Sequence, residues 1–301
     1  MRILFAGTPA TAVPPLLRLH QDHEVAAVLT RPPAKVGRKR VLTPSPVHGA
    51  ATSLGLEVLT PDTLKDPQIA QRIAAYDVDA VAVVAYSHLI PAPLLDVPAH
   101  GWINLHYSLL PRWRGAAPVQ YAIWNGDDTT GVSTFRIDAG LDTGALIDTA
   151  HTRIGPSETA GQLLERLTDI GSEVLAASMA SLEAGTATLR PQEGEPTFAP
   201  KITTEDARLD LGADSQALAR QTRALAPAPG TWAMLGDARI KIGPATATEG
   251  AFAPGEIITG SDVILGTGDG GLVLDRIAPP GKSWMAAADW ARGLREKVVL
   301  T

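Results

Sequence analysis

Cysteine is absent from the 301 residues of the chain. Disulfides, thiolate metal sites and a cysteine nucleophile are therefore excluded. No stretch approaches the roughly 18 uncharged apolar residues of a membrane helix. A strand-like pattern begins at Arg2, so we expect no signal peptide. The seven histidines do not have the spacing of metal ligands. We therefore expect a cytoplasmic protein with no membrane association and no bound metal.

Positive charge is also scarce. The chain has 26 Lys and Arg against 32 Asp and Glu, a formal net charge of −6. Because phosphate affinity comes from clustered Lys and Arg, this balance argues against a protein whose whole surface binds nucleic acid. Any contact with RNA has to be local. Hydrophobic residues make up 45% and charged residues 19%, which is typical of a globular protein and, at this length, of two domains.

The first part of the chain alternates between strand and helix patterns. An apolar run at 2–6 is followed by helical spacing at 13–19 and a second apolar run at 25–29. Further strands are predicted at 80–84 and 102–105, and further helices at 45–54 and 67–76. This alternation predicts an α/β fold, a Rossmann-like domain with a parallel sheet and helices on both faces.

The rest of the chain has a different texture. A helical stripe at 157–183, with Ser157 as N-cap and Gly185 as the stop, closes the first domain at residue 188. Residues 189–203 are proline-rich and predict an extended linker. Short alternating segments separated by glycine-rich turns then predict a small β-barrel over 204–301.

A glycine follows the first strand, in Gly7-Thr8-Pro9. Such a turn binds phosphate when its backbone amides approach an anion at a helix N-terminus. The second and third glycines of a dinucleotide-binding loop are missing here, so a tight strand-to-helix connection is the favoured interpretation.

Three polar residues, Asn104, His106 and Asp142, are the candidates for catalysis. Asn104 and His106 lie two residues apart on a predicted strand and therefore share a face, at the carboxyl end where α/β sheets hold their sites. An amide donor and an imidazole suit the stabilisation of an oxyanion. Asp142, in a glycine-flanked turn, is expected to raise the pKa of His106 and to orient its ring. Taken singly, each residue is better explained as a satisfied buried polar group or a turn former.

Together with their surroundings, these residues resemble the formyltetrahydrofolate-dependent transferases. The segments that carry the resemblance are 103–118, 138–144, 5–9, 44–47, 199–202 and 281–285. The resemblance implies a Rossmann-like catalytic domain, a C-terminal OB-like barrel and catalytic roles for Asn104, His106 and Asp142. It also implies folate contacts from Ser108, Leu109, Leu110 and Pro111. The chain departs from the family at Ser87, where glycine is usual, and at Tyr107, where a small residue is usual.

Residues 30–43 contain five basic side chains and no acid. In the resembled family a basic loop here contacts the acceptor end of tRNA, and Arg38, Lys39 and Arg40 are the expected contacts. Without the resemblance, a solvated loop is at least as good an interpretation. Residues 204–301 have ten Lys or Arg against twelve Asp or Glu, so RNA contact there has to use a local patch.

The resemblance implies an enzyme for translation initiation that transfers a formyl group from 10-formyltetrahydrofolate, its reduced-folate substrate, to the amino group of initiator methionyl-tRNA. The alternatives keep the chemistry but change the acceptor to a sugar-nucleotide amine, a small ribonucleotide amine or water. A non-catalytic RNA-binding protein is a third possibility, which the Asn104, His106 and Asp142 set disfavours. A monomer is expected.

Overall fold

The computed structural model describes residues 1–37, 39–294 and 296–301. Contacts divide this part of the chain into two units. The first comprises Met1–Gly115, Thr130–Thr152 and Leu164–Phe198, and the second comprises Ala116–Thr129, Arg153–Leu163 and Ala199–Thr301. Each unit combines three separate segments of the chain, so the units do not correspond to continuous domains. The domain borders predicted at 188 and 204 therefore stay a prediction. None of the helices described has the length and apolar character of a membrane-spanning segment.

A seven-stranded sheet organises the first unit. The strands up to residue 153 are β1 (Arg2–Gly7), β2 (Glu24–Leu29), β3 (Ala34–Val36), β4 (Val41–Thr43), β5 (Val58–Leu59), β6 (Ala80–Val84), β7 (Trp102–His106), β8 (Arg114–Gly115), β9 (Thr129–Arg136) and β10 (Leu146–Arg153). The order in the sheet is β10-β9-β7-β6-β1-β2-β5. Strands β5, β2, β1, β6 and β7 are parallel, whereas β9 pairs antiparallel with β7. The predicted parallel sheet is therefore the larger part of a mixed sheet.

Helices connect these strands. They are α1 (Val13–Asp22), α2 (Pro46–Ser53), α3 (Pro67–Ala75), α4 (Ala92–Leu95), α5 (Pro118–Asn125) and α6 (Ala160–Glu183). The Ser45 hydroxyl caps α2 by accepting from the His48 amide, and the Asp66 carboxylate caps α3 by accepting from the Gln68 amide. All five residues of β6 are apolar and buried, because a parallel strand inside the sheet is covered on both faces.

The start predicted for the long helix at Ser157 is wrong. Helix α6 begins at Ala160. Thr159 occupies the cap position, because its carbonyl oxygen accepts from the Leu163 amide and its hydroxyl accepts from the Gln162 amide. The Thr159 hydroxyl accepts from the Gln162 amide at 3.3 Å, while the Gln162 side chain accepts from the Thr159 amide at 3.0 Å. This reciprocal pair is a capping box, which satisfies two backbone donors at once and therefore sets the first turn. The predicted stop at Gly185 is confirmed by its φ of +66°.

The C-terminal residues form the antiparallel barrel-like structure that their pattern predicts. Strand β11 (Phe198–Ala199) precedes this structure and belongs to a separate two-stranded sheet with β8. The elements of the C-terminal structure are α7 (Ser215–Ala224), β12 (Thr231–Leu235), β13 (Ala238–Ile242), β14 (Ala245–Thr248), β15 (Ile257–Thr259), β16 (Val263–Gly266), β17 (Gly271–Leu274), β18 (Arg276–Ala278), β19 (Met285–Ala286) and α8 (Ala287–Ala291). Two four-stranded sheets, β12-β13-β18-β19 and β14-β17-β16-β15, share one core. The core includes Ala233 and Ile240 from one sheet and Leu265 and Leu272 from the other.

Candidate active site

Asn104 and His106 lie on β7, next to the centre of the sheet. Val83 of β6 is the register partner of Asn104 on one side, and Phe135 of β9 is its partner on the other. Since side chains alternate along a strand, Asn104 and His106 point to the same face, as predicted. His106 is the last residue of β7 and is buried, whereas Asn104 is half-buried. Within the residues described, the side-chain amide of Asn104 makes no hydrogen bond, so this group is available to a ligand.

The ring of His106 is held by backbone. Its Nε2 lies 2.9 Å from the carbonyl oxygen of Trp113. A carbonyl oxygen can only accept, so Nε2 carries the proton and donates. Trp113 presents this carbonyl from a left-handed conformation with φ of +59°, which is costly for a bulky residue. Because Nε2 carries the proton, Nδ1 of the neutral ring has a free lone pair.

Asp142 lies on the Nδ1 side of the ring. Its Oδ2 is 3.9 Å from Nδ1, beyond hydrogen-bond distance. Burial lowers the pKa of His106 below its ordinary value, and this effect outweighs the Asp142 charge and the Trp113 carbonyl, which both raise it. Asp142 raises the pKa of the imidazole, as predicted, but no hydrogen bond joins the two groups, so the structure does not show Asp142 orienting the ring. Burial is stronger than the carboxylate, and the Trp113 carbonyl orients the ring.

A tight turn positions Asp142. The residue has φ of +51°, and its Oδ2 accepts from the Gly115 amide at 2.8 Å. Asp138 stabilises the turn by accepting from the Gly140 amide at 2.9 Å and from the Thr143 hydroxyl at 2.5 Å. A Cβ at Gly144 would lie 1.7 Å from the carbonyl oxygen of Arg136. Glycine at 144 is therefore required by close approach of backbone.

Gln192 was not found from the sequence. Its amide nitrogen donates to the carbonyl oxygens of Asp142 at 2.8 Å and Gly144 at 2.9 Å. Its amide oxygen accepts from Arg114 Nη2 at 2.6 Å. One glutamine of the predicted linker thus joins the Asp142 turn to the segment that follows Trp113. A single glutamine in a proline-rich segment has no local signal that could have predicted this role.

Hydrogen bonds within the loop and to Ser133 hold the loop that is expected to contact folate. The Ser108 hydroxyl donates to the Arg112 carbonyl at 2.6 Å, and the Ser133 hydroxyl donates to the Ser108 carbonyl at 2.7 Å. Ser133 also accepts from the Leu110 amide at 3.1 Å. Ser108, Leu110 and Pro111 are buried and Leu109 is half-buried, so these side chains mainly shape the loop. Their folate contacts stay a prediction.

A cavity of about 470 Å³ opens at the same edge of the sheet. It is lined by Thr8, Arg31, Pro32, Pro33, Ala34, Asp62 and Ser87. Thr8, Asp62 and Ser87 follow the carboxyl ends of β1, β5 and β6, where α/β sheets bind ligands. The buried Thr8 hydroxyl has no hydrogen-bond partner in the described structure. Such a group is costly unless a ligand or water satisfies it.

Two family departures and the first glycine also have structural roles. Ser87 accepts from Arg31 at 3.4 Å in the cavity, and the buried Tyr107 donates to the Thr11 carbonyl at 3.3 Å. A Cβ at Gly7 would lie 2.8 Å from the Ala12 Cβ and 3.0 Å from the Val84 carbonyl oxygen. Packing alone therefore requires glycine at position 7.

The basic segment forms a hairpin. Strands β3 and β4 pair antiparallel, and all six of their side chains are exposed. Lys39 and Arg40 lie exposed in the turn, and Arg38 lies outside the described residues. Val36, Val41 and Leu42 are 56%, 58% and 63% exposed, which is a large apolar surface for three adjacent strand residues. Exposed apolar groups beside cations favour a binding role for the hairpin.

Among the residues described, no group of three or more His, Asp or Glu could hold a metal ion.

The family model "Formyl transferase" matches residues 1–179, and "Formyl transferase, C-terminal domain" matches residues 201–295. Methionyl-tRNA formyltransferase of Arthrobacter sp. strain FB24 is 51% identical over 297 residues, 97% of each chain. The enzyme of the same name from Corynebacterium glutamicum strain R is 50% identical over 307 residues, 98% of each chain.

Solved structures share the fold at lower identity. The sugar 3N-formyltransferase WlaRD has a TM-score of 0.68 and 17% identity, over 91% of this chain and 96% of that chain. HypX from Aquifex aeolicus in complex with tetrahydrofolic acid has a TM-score of 0.67 and 18% identity, over 97% of this chain and 47% of that chain. At these identities the likeness shows the fold alone.

Proposed function

The chain belongs to the formyl transferase family, and we propose that Asn104, His106 and Asp142 catalyse its reaction. The reaction is formylation of initiator methionyl-tRNA with 10-formyltetrahydrofolate as donor, the activity named by relatives about half identical over nearly the whole chain. One observation supports the assignment of these residues most directly. His106 Nδ1 and Asp142 Oδ2 face each other, 3.9 Å apart, at the carboxyl edge of the sheet. That edge is where this fold class performs its chemistry.

The reaction exchanges one carbon–nitrogen bond for another. The methionine amino nitrogen, in its neutral form, bonds to the formyl carbon, and the bond from that carbon to N10 of the folate breaks. One proton leaves the attacking amine and one proton reaches N10. The products are formylmethionyl-tRNA and tetrahydrofolate, so the protein has to move one proton and stabilise one transient oxyanion.

The proton passes through His106. Because Nε2–H is bonded to the Trp113 carbonyl, Nδ1 is the nitrogen that can accept. Neutral Nδ1 and the Asp142 carboxylate are two acceptors that face each other across a distance too long for a direct bond. An amine or water between them can donate to both. Nδ1 takes the amine proton, the Asp142 charge stabilises the resulting imidazolium, and the proton is then returned to N10.

Asn104 stabilises the oxyanion. Its side chain donates at any pH, lies on the same face as His106 and makes no protein hydrogen bond within the structure described. A donor fixed on a strand does not need to reorganise when charge develops on the formyl oxygen, which is the condition for strong stabilisation of a transition state.

The acceptor end of the tRNA enters through the cavity beside the hairpin. Ala34 is both the first residue of β3 and part of the cavity wall, so the hairpin begins at the cavity. The unsatisfied Thr8 hydroxyl and the Arg31 guanidinium supply polar contacts inside it. Lys39 and Arg40, together with Arg38, supply cations for phosphates or for stacking on an unpaired base. The 108–111 loop shapes the pterin side.

A direct assay tests this assignment. The purified chain is given 10-formyltetrahydrofolate with initiator methionyl-tRNA, a charged elongator tRNA or an amino-sugar nucleotide as acceptor. We expect turnover with initiator methionyl-tRNA alone, and a rate at subsaturating tRNA that falls as salt is added, because phosphate contacts release counterions. Turnover with the amino sugar at a comparable rate would instead support the alternative acceptor. We also propose a monomer in the cytoplasm, which sedimentation and cell fractionation test.

A further inference from the structure

The segment that follows α6 contacts the site at two points. Residues 192–197, here called the crossing segment, begin with Gln192, which holds the Asp142 turn. They end with Thr197, whose amide donates to the Pro111 carbonyl at 3.3 Å and whose carbonyl accepts from the Arg114 amide at 2.9 Å. The crossing segment is therefore bonded to backbone on both sides of Trp113, the residue whose carbonyl orients His106.

The Thr197 side chain makes a third bond. Its Oγ1 accepts from the Trp113 amide at 2.9 Å. A peptide group is planar, so a hydrogen bond to one of its atoms constrains the whole group. The Oγ1 contact constrains the peptide group before Trp113, and the bond from the Arg114 amide constrains the group after it. Thr197 thus holds both of the peptide groups whose rotations define φ and ψ of Trp113.

The conformation held in this way is an unfavourable one. Trp113 has φ of +59°, which a bulky residue adopts only where its surroundings enforce it. Any residue except proline can make the two backbone bonds of position 197. The acceptor for the Trp113 amide, by contrast, requires an oxygen on the side chain. The residue type at 197 therefore decides whether both peptide groups are constrained or only one.

The constrained carbonyl controls the imidazole. It accepts from Nε2 of His106 at 2.9 Å, and Nδ1 then faces Asp142 as a bare lone pair. The tautomer of a histidine is set by the hydrogen bond that the other ring nitrogen makes. Without the Trp113 carbonyl, the proton would move to Nδ1, where a small shift over the present 3.9 Å allows donation to the Asp142 carboxylate. That tautomer has no lone pair on Nδ1 to accept a proton from an amine.

We propose that Thr197 is a positioning residue for formyl transfer: its hydroxyl holds Trp113 in the left-handed conformation and thereby fixes the nitrogen of His106 that accepts the amine proton. This inference rests on the proposed function for the role of His106. Gln192 holds the Asp142 turn in the same way, so the two ends of the crossing segment position the base and the carboxylate independently.

The test removes the oxygen and keeps the shape. Thr197→Val retains the branched side chain and both backbone bonds, Thr197→Ser retains the hydroxyl, and Thr186→Val is the matched control, because the Thr186 hydroxyl makes an exposed bond to the Ser181 carbonyl. The tautomer of His106 is read from its ring ¹⁵N shifts in the free enzyme at pH 8. We expect Nε2–H alone in the unmodified enzyme and a mixture with Nδ1–H in Thr197→Val.

Steady-state formylation gives the second readout. The kcat of Thr197→Val should fall about tenfold, the effect of one hydrogen bond, while KM for folate and for tRNA stay within about twofold. Thr197→Ser should keep the Nε2–H tautomer and most of kcat, and Thr186→Val should change neither. If melting shows that Thr197→Val is unfolded, Thr197→Ala removes the same acceptor and carries the same expectation.

Two results would overturn the role of Thr197. One is an unchanged tautomer and kcat in the folded Val or Ala variant. The other is an equal loss of kcat in Thr197→Val and Thr197→Ser with the tautomer unchanged, since the hydroxyl would then not be the cause. The tautomer is measured without substrate, so its result is separate from an absence of formylation by the unmodified enzyme, which would overturn the proposed function instead.

Discussion

The end of β7 and the outer face of β13 and β18, which carries Arg239, Lys241 and Arg276, use polar residues in opposite ways. At the end of β7, His106 is buried, and backbone carbonyls and amides position it and Asp142. On this outer face the cations are exposed, and the Arg239 guanidinium is positioned by stacking on Trp232 and by an ion pair with Glu205. Burial makes each interaction strong and dependent on its neighbours, whereas exposure makes each contribution small and nearly additive.

The strongest test of this contrast is Asn104→Ala. Removal of one oxyanion donor in a buried site costs on the order of 10² to 10³ in kcat. We expect a loss in that range, with the KM for folate changed little, in steady-state formylation assays. Asn125→Ala is a suitable control, because Asn125 makes an exposed hydrogen bond to Asp127. A kcat close to that of the unmodified enzyme would remove Asn104 from the mechanism.

A smaller effect is expected from Gln192→Ala. The substitution removes two hydrogen bonds that hold the Asp142 turn, each with a net value of about 0.5–1.5 kcal/mol. We expect kcat to fall about tenfold, with the KM for tRNA nearly constant, since 1.4 kcal/mol corresponds to about tenfold in rate. Glu195→Ala, at an exposed position in the same segment, should change neither value. A change in the KM for tRNA alone would show that Gln192 acts in binding instead.

The smallest effect concerns pH. Burial lowers the pKa of His106, and the Asp142 charge opposes part of that shift. Neutral His106 accepts the proton, and the methionine amino group, with an ordinary α-amino pKa of about 7.7–8.0, also has to be neutral, so kcat/KM depends on both groups. The His106 ring is therefore titrated by NMR in the free enzyme, where its midpoint should lie below 6.5, the ordinary histidine value. In Asp142→Asn the midpoint should be lower still, because a charge that favours imidazolium is gone. Asp169→Asn, exposed on α6, should leave the midpoint unchanged, and a midpoint above 6.5 in the unmodified enzyme would contradict this assignment.

Local patterns were enough for much of the fold. Strand β6 has the bounds predicted from its apolar run, and β7 differs from its prediction by one residue, because a strand covered on both faces needs a continuous apolar segment. The pattern places the N-cap of helix α6 at Ser157, two residues before the observed cap, Thr159. Ser157 and Thr159 are both suitable caps, and only the position of Gln162 selects Thr159. The antiparallel β9 has no signature in its own composition.

The identities and the shared face of Asn104 and His106 follow from residue type and strand period, which are local properties that the sequence contains. Other features of the site depend on distant contacts. The Trp113 carbonyl selects the reactive nitrogen of His106, burial outweighs Asp142 in lowering the imidazole pKa, and Gln192 joins a turn fifty residues away. Arg239, Lys241 and Arg276 likewise come together on one face only when β13 and β18 pair. Dehydration and proximity are properties of the folded chain, so no local pattern of residues can encode them separately.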